Sequence, residues 1–389
     1  MKIPKVAVAL SGGVDSGVAA KLLVDEGYQC SGFYLRFWKE EGKNDFENKC
    51  CDLKSLEAAR KTCWQLGIPF YVLDFAEVFK KRVVEYFLEE YAKGKTPNPC
   101  VMCNKYIKFG RLLEYIRGLG FDYLATGHYA RITRNSQPVT EKTVKLLESL
   151  TVKGLRVNYH LLQAKDKAKD QSYFLYNLTQ KQLAHILFPI GEYTKKQVRA
   201  MAKKWQLPVA ERPESQEVCF FSESDYRLFL RRQIPEKIIP GEVVDNKGEV
   251  IGRHFGLPLY TIGQRHGFEI TVKKKSKNKG LIPPFYVIGK DVKKNQLIVG
   301  FGQETERKLF KLKNVNFIIE TDFSPSEKFW IKIRNQGELL ECQLKKGGEE
   351  WVEVILKEGQ RGIAPGQAGV IYKKFKGEDF EVVGGGIII

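Results

Sequence analysis

The chain has 389 residues, 43% of them hydrophobic, and carries 64 Lys and Arg against 46 Asp and Glu, a formal charge of +18. That length calls for two or three domains. No apolar run reaches the roughly 18 residues of a membrane-spanning helix, which excludes a helical membrane protein, while the basic surplus favours a polyanionic partner. A Lys-rich surface serving thermal stability is the competing source of that charge. The amino end runs straight into a strand with no charged and then apolar leader, so the eight cysteines are expected mostly as thiols in a reducing cytoplasm.

The first element is the strand in VAVALSGGVDS, residues 6–16, where small and β-branched apolar residues meet two glycines. Helical spacing resumes from Val18 to Leu23 and stops at Gly27, so the turn lies where a strand ends and a helix begins. The free backbone N–H groups there suit an anion. It is not a Walker loop, because no Lys follows the last glycine. Residues 29–37 read as a second strand, 52–67 as a helix with Leu53, Leu56, Ala59, Cys63 and Leu66 on one face, and 70–74 as a third strand. Phe75, Phe79, Val83, Phe87 and Tyr91 step by four along the next helix until Gly94; 104–118 is a further helix and 123–127 a further strand. This alternation indicates a parallel sheet covered on both faces. Ligands of such sheets bind at the carboxyl ends of the strands, which puts the Ser11 loop and the Gly127-His128 corner on one rim.

Residues 134–158 lose periodicity and read as an insertion, either a β-excursion or a mobile loop. Segments 180–187 and 194–206 read as helices, the second carrying Lys195, Lys196, Arg199, Lys203 and Lys204, a face suited to a phosphate backbone or simply solvated. Near Gly241 the texture changes to short alternating segments, with a hairpin over Asn246-Lys247-Gly248 and a basic run, KKKSKNK, read as a flexible loop. From Leu309 onward, stretches such as FWIKIRNQ, LECQLKK, WVEVILKE and GVIYKKF indicate an antiparallel barrel. The divisions expected are 1–225, 226–305 and 306–389.

Cys100 and Cys103, in TPNPCVMCNK, and Cys219, in ERPESQEVCFF, lie outside helical stripes. The prolines exclude a helix interior, and a helix beginning at Asn104 would put Cys103 at its amino end. There the helix dipole, with Lys105 and Lys108, is expected to lower the thiol pKa. Cys30, Cys63 and Cys342 read as small core residues, and His160, His185, His254 and His266 as structural or surface groups. Cys50 and Cys51 receive no role.

SGGVDS resembles the pyrophosphate loop of enzymes that split ATP between its α- and β-phosphates. Together with TPNPCVMCNKYIKFG, ATGHYARI, KDQSYFLY, SQEVCFF, YTIGQRHG and APGQAG, in that order, it makes nearly the whole chain resemble the bacterial tRNA-specific 2-thiouridylase family. That family replaces the C2 oxygen of the wobble uridine by sulfur in tRNAs for Lys, Glu and Gln. The resemblance implies an α/β parallel-sheet pyrophosphatase domain, a small β-rich central domain that contacts tRNA, and a carboxy-terminal antiparallel β-barrel. It also implies ATP at Ala9, Leu10, Ser11, Gly12, Gly13, Val14, Asp15 and Ser16, with Leu35 and Gly127, and Mg²⁺ reached by Asp15 through pyrophosphate. Cys219 would receive a persulfide from a sulfur-relay protein or cysteine desulfurase. Cys103 would attack C2 or release the sulfur by forming a disulfide with Cys219.

By the same resemblance Asn98, Pro99 and Cys100 lie beside the target base, and His128, Lys169, Asp170, Gln171, Arg334, Asn335 and Gln367 against the tRNA. One position departs from the family, many of whose members carry Asp where this chain has Cys100. Three thiols, Cys100, Cys103 and Cys219, leave a [4Fe–4S] cluster open beside persulfide chemistry. An amidating synthetase sharing the Ser11 loop and a catalytically silent RNA-binding protein are the competing functions.

Overall fold

The computed structural model describes residues 3–40, 53–138, 155–214, 218–221, 225–271, 284–347 and 351–389. Strands β1 (Lys5–Ala9), β2 (Gln29–Arg36), β3 (Phe70–Asp74) and β4 (Tyr123–Thr126) alternate with helices, including α1 (Val14–Asp25) and α2 (Leu53–Gln65). A hairpin follows, β5 (Ala130–Pro138) and β6 (Leu155–Gln163), and then the short strand β7 (Ile186–Leu187). The parallel sheet has the order β3-β2-β1-β4-β7. Its central strand is apolar on both sides because both faces are covered. Val6 and Val8 pack with Ala59 and Cys63, while Ala7 joins the opposite cluster with Ile107 and Leu112. The order reverses between β1 and β4, and such a reversal opens a crevice at the strands' carboxyl ends.

Three local expectations change. Segment 180–187 is not one helix: Gln180–Leu183 is helical, and Ile186 then pairs in parallel with Leu124, adding an edge strand. On α2 the buried stripe is Ser55, Ala58, Ala59, Thr62 and Cys63, leaving Leu53 exposed, because the helix lays its small residues against the sheet. The helix expected over 104–118 begins at Pro99 rather than Asn104, with Asn98 as its cap, since a proline is tolerated in a first helical turn. Its continuation, Cys103–Leu112, is π-helical, as is Lys80–Val84, and apolar spacing by four does not signal a π segment.

The second sheet comprises β8 (Gly241–Val244), β9 (Val250–His254), β10 (Glu269–Ile270), β11 (Tyr286–Asp291) and β12 (Gln296–Gly300). Its β8–β9 hairpin turns at Gly248, whose φ of 84° suits glycine. The third sheet holds β13 (Glu306–Phe317), β14 (Phe329–Lys332), β15 (Leu340–Gly347), β16 (Trp351–Arg361), β17 (Ala368–Lys374) and β18 (Phe380–Ile388). Because β13 pairs with both β16 and β18, these six strands close into an antiparallel barrel. The β5–β6 hairpin docks on the barrel through Leu162 opposite Glu381, and His160 Nδ1 lies 2.6 Å from Glu381 Oε2. The 134–158 segment is thus a β-excursion at its two ends. Its middle lies outside the described residues, as do KKKSKNK, Cys50 and Cys51.

Candidate active site

The loop after β1 is built to hold an anion at the open end of α1. Gly13 caps that helix without a side-chain hydrogen bond. Ser16 Oγ organises the turn, accepting from Ser11 N at 3.2 Å and donating to Gly13 O at 3.1 Å. Gly12 has φ 73°, and a Cβ there would stand 2.2 Å from Ser55 O, so the first turn of α2 presses directly on the loop. Gly127, just after β4, is equally confined: its Cβ would lie 2.7 Å from Ser16 N and 2.8 Å from the Asp15 carbonyl carbon. The structure therefore brings the Ser11 loop and the Gly127-His128 corner together.

Asp15 is enclosed by groups distant in sequence. Its carboxylate accepts from Lys195 Nζ at 2.7 and 2.8 Å and from Tyr129 OH at 2.8 Å. Lys195 also reaches Glu214 at 3.0 Å, and Lys169 reaches the other Glu214 oxygen at 2.8 Å. Burial would raise the Glu214 pKa, but hydrogen bonds from Lys169 and Lys195 outweigh it and lower it to about 2. Asp15 remains partly exposed at the loop, and Mg²⁺ in nucleotide sites is commonly held by one or two carboxylates plus phosphates, so this single carboxylate fits that ion.

The thiols gather at the neighbouring edge. Asn98 caps the helix of Cys100 and Cys103, its Oδ1 accepting from Val101 N at 3.4 Å. Cys100 is exposed, Cys103 buried and Cys219 half-buried. Cys219 is pinned by its neighbours: Phe220 packs edge-on against Phe79, Phe87 and Phe229, and Phe221 stacks on Phe229 at 5.2 Å. The apolar stripe Phe79–Phe87 thus forms the bed of the Cys219 loop.

The thiol pKa expectation is corrected. Dense packing around Cys100 pushes its thiol up to about 11, with Cys219 adding and Lys108 opposing. Burial pushes Cys103 up to about 12, again against Lys108 and with both other thiols adding. The reason is that Cys103 lies a full turn inside the helix, where desolvation outweighs dipole and lysine. A group with a raised thiol pKa ionises only as pH climbs, so alkylation of exposed Cys100 by iodoacetamide should still rise about tenfold per unit between pH 8 and 10. Peptide mass spectrometry reads this, and a plateau near pH 9, as for an ordinary thiol of about 8.5, would contradict it.

Cys103 belongs to the apolar cluster against which Cys219 packs, and Lys108 acts on Cys100, Cys103 and His128 alike, so the three thiols share one neighbourhood. His128 follows Gly127, so thiols and nucleotide loop occupy the same end of the sheet. Among the described residues, however, no three Cys, His, Asp or Glu side chains come together closely enough to hold a metal ion, and the thiols do not fit a [4Fe–4S] cluster as they stand.

Three family profiles match in succession: a tRNA methyl transferase HUP domain over residues 4–223, a tRNA methyl transferase PRC-barrel domain over 227–301 and an aminomethyltransferase beta-barrel domain over 307–388. The tRNA-specific 2-thiouridylase MnmA of Symbiobacterium thermophilum is 40% identical over 388 residues, 99% of this chain and 92% of its own length. That of Roseiflexus castenholzii is 43% identical over 385 residues, 99% of each chain. The chain belongs to the tRNA-specific 2-thiouridylase family.

Several residues that the family pattern sets against tRNA are engaged within this 2-thiouridylase fold. His128 is buried between Phe109 and Phe188 with Nδ1 2.7 Å from Thr126 Oγ1, and burial, with Lys108, holds its pKa well below the usual imidazole range. It is therefore held in its neutral form. Asp170 is buried, accepting from Ala164 N, Ser172 N and Ser172 Oγ, which organises the β6 exit. Gln171 clamps Tyr129, exchanging backbone and side-chain bonds at 2.8 and 3.0 Å. Lys169 is paired to Glu214. Leu10 and Leu35 are buried in the core.

Gln367 serves a clasp. Its Nε2 donates to Thr96 O at 2.9 Å while Thr96 N donates to Pro365 O at 2.8 Å, so the barrel's APGQAG turn holds the segment leading to Asn98 and Cys100. Arg334 is exposed in a barrel turn, and Asn335 Oδ1 is buried there with no partner among the described residues. Sequence reasoning missed Tyr129, Lys195 and Glu214 around Asp15. The basic face read on 194–206 contained Lys195, but nothing local says that it turns inward.

Proposed function

We propose that the chain is a tRNA-uridine 2-sulfurtransferase that adenylates the C2 oxygen of the wobble uridine and replaces it with sulfur from a Cys219 persulfide. The observation that supports this reading is that Cys219 packs on the apolar cluster that holds Cys103, beside the helix that follows the carboxyl end of β3. Residues 1–225 would form the ATP-splitting unit, 226–305 a central unit and 306–389 the barrel. The tRNA would bear Lys, Glu or Gln type anticodons, and a sulfur-relay protein or cysteine desulfurase would load Cys219.

The amide groups of Gly12 and Gly13 and the α1 dipole receive the phosphates. Mg²⁺, held by Asp15 with the phosphates, would neutralise charge on the departing pyrophosphate. The uracil O2 bonds the α-phosphorus, pyrophosphate leaves and N3 loses its proton. The terminal persulfide sulfur on Cys219 then bonds C2 as AMP departs. Cys103 attacks Cys219 Sγ, the S–S bond to the uridine sulfur breaks, N3 regains a proton, and a Cys103–Cys219 disulfide remains for an external dithiol to reduce. The high Cys103 pKa keeps this thiol protonated until substrate arrives.

Incubation with unmodified tRNA, ATP and a persulfide donor should give thiolated uridine, AMP and pyrophosphate in equal amounts. Amidation of a small carboxylate without thiolated tRNA would establish the amidating alternative, and pyrophosphate release independent of tRNA would refute the order of steps. Cys100→Asp separates the sulfur mechanisms: the variant should keep activity within about threefold, because the persulfide route needs only two thiols. Complete loss, with iron in anaerobically purified protein, would favour the cluster.

A further inference from the structure

We infer that Lys195 is the phosphate-binding lysine that the Ser11 loop lacks, contacting the pyrophosphate end of ATP; this rests on the reading that ATP binds at that loop. A carboxylate in the first turn of α1 would repel the anion that the loop is shaped to receive. Asp15 is such a carboxylate, and Lys195 Nζ lies 2.7 and 2.8 Å from its two oxygens. Around these two groups the cations Lys169, Lys195 and Arg199 match the carboxylates Asp15, Asp166 and Glu214 in number, so an incoming anion meets no net negative charge.

The lysine is also held firmly where an incoming phosphate would meet it. It opens the helix α3 (Lys195–Lys204), whose Thr194 cap forms a reciprocal box with Gln197. Its backbone N donates to Asp166 Oδ2 at 2.9 Å, and Val198 and Ala202 of the same helix pack in one cluster with Val14 and Val18 of α1. The Tyr129 ring lies 5.7 Å from Nζ. In the ligand-free chain Lys195 neutralises Asp15. When polyphosphate arrives, the ammonium shifts its bond from carboxylate to phosphate oxygen while Glu214 keeps it at the site.

Isothermal titration of pyrophosphate in EDTA, without tRNA, tests this. Lys195→Met should weaken binding roughly 10- to 100-fold, the worth of a charge-assisted hydrogen bond, and Lys195→Arg should restore most of it. Asp15→Asn should instead tighten metal-free binding, because it removes a repelling charge. The Lys195→Met loss must persist in the Asp15→Asn background. A loss below about threefold there would show that Lys195 only positions Asp15, which overturns the inference. Absence of pyrophosphate and ATP binding in the unmodified chain would instead overturn the nucleotide reading. Thermal melts of each variant identify any that fail to fold, and for those Glu214→Gln, which releases one hold on Lys195, should change pyrophosphate affinity and must not leave it untouched.

Discussion

Cys103→Ala and Cys219→Ala are each expected to abolish 2-thiouridine formation, with single-turnover rates falling roughly 10³-fold or more, as losses of a covalent nucleophile do. Removing either thiol leaves the sulfur with no carrier or no release. The two variants should nevertheless differ. Cys219→Ala cannot accept persulfide, so radiolabelled sulfur should not attach to the protein. Cys103→Ala should still load Cys219 and accumulate a tRNA–protein disulfide that a reductant cleaves. Both should fold: Cys219 is only half-buried, and its loop is fixed by the rings of Phe220 and Phe221 rather than by the thiol. At Cys103 a small buried cavity costs about 1 kcal/mol. Thiolation by either variant at a tenth of the parent rate would remove that residue from the mechanism.

Gly12→Ala is expected to be nearly as damaging, by another route. The left-handed backbone at φ 73° strains any Cβ, and this one would meet Ser55 O at 2.2 Å, so α2 and the loop must part. Strain and overpacking together should cost roughly 2–4 kcal/mol and spoil the amide geometry that receives phosphate. Gly27→Ala is the control, because Gly27 has φ 83° but nothing within 4 Å. It should lose about 1 kcal/mol and keep its ATP affinity. Equal melting temperatures and equal ATP KM values for the two variants would show that close approach at Gly12 does not matter.

Much of the architecture was legible in the chain itself because it rests on short-range rules. Alternation of strands with helices announced the parallel sheet, and the period-two stretches after Leu309 announced the barrel that β13 closes. Glycines at 12, 13 and 127 marked the rim. Residue types and motif order also named the thiols and the nucleotide loop, since their chemistry depends on what they are.

Where charge and protonation settle was not legible, because these depend on neighbours brought from far along the chain. Lys195 stands 180 positions from Asp15 and belonged, by local pattern, to a basic face suited to a phosphate backbone or simply solvated. Asp170, Gln171 and Gln367 were polar residues in motifs, yet tertiary contacts turned them inward to organise β6, Tyr129 and Thr96. The same holds for Cys103. Sequence placed it among lysines near a helix start, and packing decided the sign of its pKa shift by removing water from the thiol. The chain alone determined which reactive groups exist and which elements carry them. Only the folded structure decided which of them face water, substrate or each other, because burial and Coulomb energy follow distance in space rather than separation in sequence.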